Sequence, residues 1–138
     1  MNYIDEKKVR SDLQMKDIYF SKIEFIQNKD LNELGEIKLS TNYKIDIRDL
    51  NEDEKEILFS VQIFSEDERL SVNLVANGLF KLESVNLSKE EKDIVFKHNA
   101  VAIMFPFIRS QVALITAQPG LNSVMLQPIN TSKIWNKE

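Results

Sequence analysis

The feature that most constrains this chain is a change in the spacing of its apolar residues. Up to residue 82 they recur at every second position, and from residue 94 at every third or fourth. A period of two places side chains on alternate faces of a strand, whereas a period near 3.6 lines one face of a helix. Strands followed by helices predict an α+β fold: a four-stranded antiparallel sheet with C-terminal helices packed on one face.

Four strand-like stretches precede the change. In residues 15–26, Ile18 and Phe20 alternate, then Ile23 and Phe25 alternate in the opposite parity. One extra residue flips the faces of a strand, so a bulge is predicted near Ser21 and Lys22. Residues 38–47 carry Leu39, Thr41, Tyr43, Ile45 and Ile47 in step, and residues 57–64 carry Ile57, Phe59, Val61 and Ile63. In residues 70–82 the row is Leu70, Val72, Leu74, Ala76, Phe80 and Leu82, interrupted by Gly78. A glycine inside a strand marks a bend or a close backbone approach. The linkers are short, so consecutive antiparallel pairing is the simplest topology.

Ser88-Lys89-Glu90-Glu91 has the form of a capping box, in which the serine hydroxyl accepts from an early helix N–H and Glu91 reaches back. Asn99 is placed to cap a second helical piece. Pro106 lacks an amide donor and crowds residue 102, which predicts a kink or restart. Pro119-Gly120 fits a type II turn, with φ fixed at Pro and positive at Gly. A short final helix is expected over 131–137, with Thr131 as its N-cap. The 138 residues fit one domain: an N-terminal arm (1–14), a sheet region (15–86), helices (88–118), and a C-terminal strip with a short helix (119–138).

Few chemistries suit these residues. There is no cysteine, so disulfides and thiolate metal sites are excluded. The formal charge of −4 and the scatter of lysines among acids disfavour nucleic-acid binding. No apolar run approaches the ~20 residues of a membrane span. The N-terminus lacks the apolar core of a secretion signal, so a cytoplasmic location is expected. His98 is the single histidine, with no nucleophile or orienting acid that sequence can place beside it. Asp49-x-Asn51-x-Asp53 imitates the start of a calcium loop, but Glu54 stands where glycine is needed and Ser60 where the closing glutamate belongs. Glu66-Asp67-Glu68 reads as a solvated turn. No phosphate-binding glycine loop is present. Neither an enzyme nor a metal or cofactor is expected.

Apolar residues are in surplus. Leu58 and Phe64 oppose the main row of the third strand, and Val75 and Leu79 oppose that of the fourth. A half-buried sheet needs only one apolar face. Two readings stand: cover by the chain's own loops or by a second subunit, or an exposed groove for extended apolar peptides.

A resemblance rests on Ile103-Met104-Phe105-Pro106-Phe107-Ile108-Arg109 and on Leu126-Gln127-Pro128-Ile129-Asn130. These are similar to the F-P-Y-x-R helix and the P-V-N-like strip of the SecB family of export chaperones. Met15-Lys16-Asp17-Ile18-Tyr19 and Gly78-Leu79-Phe80 add weaker matches. The resemblance implies a Greek-key-like sheet with helices on one side, assembled as a homodimer or homotetramer. It also implies an ATP-independent holdase for unfolded clients, serving export or a dedicated client such as an antitoxin. The client-binding residues would be Leu58, Phe64, Val75, Leu79, Phe80, Leu121, Val124, Met125, Leu126 and Trp135. The oligomer interface would use Phe105, Phe107, Ile108, Val112 and Ile115. Family members dock the SecA motor with acids on the first and fourth strands. The matching positions here are Lys22, Ile26 and Asn73, which speaks against that partner, and Glu24 is expected on the opposite face. The alternative is a non-chaperone interaction protein that spends its apolar surface on self-assembly alone.

Overall fold

The protein is represented by a computed structural model that describes residues 13–28, 38–83 and 86–129. Strands β1 (Leu13–Gln27), β2 (Leu39–Asp49), β3 (Glu54–Ser65) and β4 (Leu70–Leu82) form one antiparallel sheet in the order β1-β4-β3-β2. Consecutive pairing therefore holds for β2, β3 and β4 but fails for β1, which lies beside β4, from Leu13 opposite Leu82 to Gln27 opposite Leu70. This is the Greek-key arrangement. A simple meander would leave β4 at an edge, with the flank of its buried row (Leu70, Val72, Leu74, Ala76) open to water.

The register of β1 shifts between Phe20 and Lys22, as its parity predicts, and again between Met15 and Asp17. Each extra residue flips the strand once. As a result Leu13, Met15, Ile18, Phe20, Ile23 and Phe25 all oppose core-face residues of β4. The first bulge escapes the sequence reading because Leu13, which fixes the parity of Met15, falls in the expected arm rather than in the strand. The arm expected over 1–14 is also too long, since β1 already begins at Leu13; residues 1–12 lie outside the described residues.

After β4 the chain forms α1 (Lys89–Val95), a π-helical turn (Phe96–Ala100) and α2 (Val101–Ile115). The capping box is present: Glu91 N donates to Ser88 Oγ (3.1 Å) and Ser88 N donates to Glu91 Oε1 (3.1 Å). Asn99 caps nothing, because the helical path passes through it, and the residue before α2, Ala100, is itself helical. Nor does Pro106 restart the helix, which runs on to Ile115. Pro106 and Ala102 both face solvent, so water can solvate the Ala102 carbonyl that the missing donor frees.

The helical apolar stripe (Val95, Phe96, Ala100, Val101, Met104, Phe105, Ile108, Val112) packs onto the inner rows of β3 and β4 to make the core. Gly78 lets α2 approach: a Cβ there would come within 2.7 Å of the Phe80 ring and 2.9 Å of Met104 Sδ. Beyond α2, Leu121 N donates to Gln118 O (3.0 Å) and Gly120 has φ of 77°, which gives the type II turn at Pro119-Gly120. The final helix expected over 131–137 lies outside the described residues.

Candidate interaction surface

The register sorts the sheet's side chains into two faces, since directly paired residues share a face. The outer face carries Asp17, Tyr19, Lys22, Glu24 and Ile26 of β1, then Ser71, Asn73, Val75, Asn77 and Leu79 of β4. Glu56, Leu58, Ser60, Gln62 and Phe64 of β3 continue it, bordered by β2. Leu58, Phe64, Val75 and Leu79, all predicted to contact clients, lie together on this face and are half-buried. The helices pack on the opposite face, with Phe96, Met104 and Ile108 fully enclosed there. Glu24 corrects an expectation. No bulge follows Ser21, so Glu24 shares a face with Lys22 and Ile26 and accepts a hydrogen bond from Asn73 Nδ2 at 2.9 Å. The face thus keeps a carboxylate beside Lys22 and Ile26, tied to Asn73.

The inner face is sealed over β3 and β4 but only half covered at its edges. On β2, Tyr43, Ile45 and Ile47 pack against the core yet stay half-exposed, and on β1 Ile23 is 50% exposed. Tyr43 meets Phe59 and Phe105 edge-on, with ring centroids 5.9 Å away in each case. Burial pushes the Tyr43 phenol up, and the Arg109 charge opposes this.

The strip after the Pro-Gly turn runs back along α2. Ser123 Oγ donates to Ala113 O (2.7 Å), Val124 N donates to Thr116 Oγ1 (2.7 Å), and Arg109 Nε donates to Leu126 O (2.9 Å). Arg109 also stacks over Phe105, its guanidinium carbon 6.0 Å from the ring centroid. Held this way, Leu121, Val124 and Ile129 pack against the core while Met125 stays 66% exposed.

Several predicted residues are placed differently. Phe80 is fully buried on the inner face and Leu126 is 6% exposed, so both are spent on the core rather than offered outward. Phe105, Ile108 and Val112, expected at an oligomer interface, are turned onto the sheet and buried within the protomer. Of that set Phe107 is exposed at 44% and Ile115 is half-buried. Trp135 lies outside the described residues. Sequence reasoning missed Tyr19, Ile23 and Ile26 on β1 and Ile94 and Leu114 on the helices, all exposed apolar residues. Only the sheet order, which puts β1 at an edge, could have flagged the first three.

Chemistry is sparse. Among the described residues no group of three or more metal-ligating side chains comes together, and no helix is long and apolar enough to cross a membrane. His98 sits half-buried in the π turn.

The family model described as preprotein translocase subunit SecB matches residues 6–138. The chain belongs to the SecB family. Its curated relatives include the protein-export protein SecB of Rickettsia rickettsii (strain Iowa), 26% identical over 78% of this chain and 71% of the relative. An uncharacterised protein of Methanocaldococcus jannaschii is 25% identical over 80% of this chain and 74% of its own length. Among solved structures, the SecB-like chaperone Rv1957 of Mycobacterium tuberculosis, in complex with a ChAD peptide from the HigA1 antitoxin, superposes with a TM-score of 0.69. That match covers 89% of this chain and 91% of the other at 12% identity, and so shows a shared fold. The shared fold is the four-stranded antiparallel sheet followed by the C-terminal helix.

Proposed function

We propose that this SecB-family chain is an ATP-independent, cytoplasmic holdase that captures extended apolar segments of unfolded proteins. The observation carrying this reading is the incomplete cover of the inner face along β2, where Tyr43, Ile45 and Ile47 remain half-exposed. Burying apolar client surface is worth roughly 25 cal/mol per Å². β2 is a sheet edge, so a client strand can also add backbone hydrogen bonds that ignore its sequence. Met125 belongs to the same capture surface, since a flexible thioether adapts to varied partners. The outer-face set Leu58, Phe64, Val75 and Leu79 provides a second, shallower surface.

A dedicated client such as an antitoxin fits better than general export. The outer face presents Lys22, Ile26 and Asn73 where docking acids would stand, and a lysine opposes a cationic motor. The structural relative's antitoxin peptide supports the same preference. Assembly as a homodimer or homotetramer would use the β1 edge with Ile23 and the exposed helix residues Phe107 and Leu114, with Ile115 beside them. The test is suppression of aggregation of a reduced, unfolded protein by the wild type and by Ile45→Asp. Suppression by the wild type and its loss in the variant are expected. A wild type that suppresses nothing would instead favour a SecB-fold protein whose apolar surface serves self-assembly alone.

A further inference from the structure

The first helix is attached to the sheet in an unusual way. Of its seven residues only Val95 is buried, and Ile94 is exposed. A cleft of about 490 Å³ separates it from the β2–β3 turn, lined by Leu50, Leu87 and charged residues of both elements. Two ionic ties span this cleft. Lys55 Nζ of β3 lies 2.7 Å from Asp93 Oδ1 of α1, and Lys92 Nζ of α1 lies 3.0 Å from Asp53 Oδ1 of the turn. The turn itself is firm, because Asn51 Oδ1 accepts from the amides of Asp53 and Glu54 at 2.9 Å each. Its Asp53 carbonyl also accepts from Leu82 N at 2.8 Å.

Lys55 has two carboxylate partners. Its side chain is 10% exposed, and its ammonium also lies 2.7 Å from Asp49 Oδ1 and 5.3 Å from the centre of the Phe96 ring. Asp49 belongs to the end of β2, so it stays with Lys55 wherever α1 goes. Stranding a buried cation without a partner is costly. Here α1 can leave without stranding one. The π turn that follows α1 is an interruption of regular helix, a feature frequent at functional sites.

We propose that α1 is a flap latched to the β2–β3 turn by the Lys55–Asp93 and Lys92–Asp53 pairs. Releasing the latch lets α1 pivot on the π turn and uncovers Leu87 and Val95 as additional apolar surface. The flap stands on geometry alone; its use by a client rests on the holdase reading. The ties span partly exposed carboxylates, so salt screens them, whereas the apolar contacts of α2 with the sheet are not weakened by salt.

Hydrogen exchange of the full chain, compared at low salt and at about 0.5 M salt, reads the latch directly. In the wild type, peptides covering 89–95 should exchange about tenfold faster at high salt while β4 and α2 stay unchanged. Asp93→Asn combined with Lys92→Gln should give the fast rate at both salt concentrations. The charge swap Asp53→Lys with Lys92→Asp should restore low-salt protection and its loss at high salt. The flap is overturned if 89–95 ignores salt and the substitutions, if it changes only in step with β4 and α2, or if the swap restores nothing. A separate arm measures aggregation suppression by the Asp93→Asn, Lys92→Gln variant, expected to rise about twofold at low salt. A wild type that suppresses nothing would defeat the holdase reading and leave the exchange result to decide the flap.

Discussion

At Gly78 a single missing carbon sets the distance between two layers. An added Cβ would press on the Phe80 ring and on Met104, and both side chains are fully buried. Overpacking of this kind costs about 1–3 kcal/mol, more than the fraction of a kcal/mol alanine returns in chain entropy. Gly78→Ala should therefore lower the urea midpoint without changing the m-value. Thr116 acts through hydrogen bonds instead. Its hydroxyl donates to Val112 O at 2.7 Å and accepts from Val124 N at 2.7 Å. Thr116→Val removes both bonds and leaves a strip amide unpaired. About 1–2 kcal/mol of stability should be lost on denaturant unfolding, with faster exchange concentrated at Val124. The glycine was readable in the sequence, because a strand interruption has few physical meanings. The threonine was not, because its role depends on a partner eight residues away across a turn.

Elements were legible where periodicity is strong and obscure where it is absent. The bulge near Ser21 could be read because apolar pairs flank it on both sides. The one at Lys16 is also flanked by pairs, Leu13 with Met15 and Ile18 with Phe20, but it is hidden once Leu13 is counted into the arm; sheet order was open because strand spacing says nothing of which neighbour β1 chooses. The latch of α1 was equally hidden, since charges at Asp49, Lys55 and Asp93 look like solvated residues until the fold gathers them. The pH dependence of the neighbouring Lys55–Asp49 pair follows from the two directions of shift. A hydrogen bond from Lys55, then its charge, hold the Asp49 carboxyl below the usual range. Burial pulls Lys55 down, but the hydrogen bonds and charges of Asp49 and Asp93 outweigh it and leave it raised. A depressed carboxylate stabilises the fold above its unfolded pKa of about 3.9, and that contribution disappears as pH falls through the lower folded value. A raised lysine stabilises it below about 10.4, with loss as pH rises through the higher folded value. Urea unfolding should therefore show the Lys55–Asp49 contribution constant between about pH 5 and 10 and lost on the acid side below about pH 4. Lys55→Met combined with Asp49→Asn should flatten that acid limb. An unchanged limb would mean that other carboxylates govern it.

For the whole molecule, the proposed function divides the apolar surface between the chain's own copies and other chains. The exposed residues fall into spatially separate groups. Ile23 lies on the inner face of β1 at one edge of the sheet, while Tyr43, Ile45 and Ile47 lie along β2 at the other. A 15-residue edge strand such as β1 invites pairing. Its two bulges twist it, yet they leave its apolar residues aligned on the inner face, which suits a specific partner more than indiscriminate association. Under that division the two edges can be damaged independently. Ile23→Lys should reduce the native mass in sedimentation while each remaining protomer still binds an unfolded client. Ile45→Asp should leave the mass unchanged and weaken client binding about tenfold, the cost of placing a carboxylate where apolar surface is buried. If both substitutions reduced mass and binding together, the two edges would form one surface, and self-assembly would account for all of it.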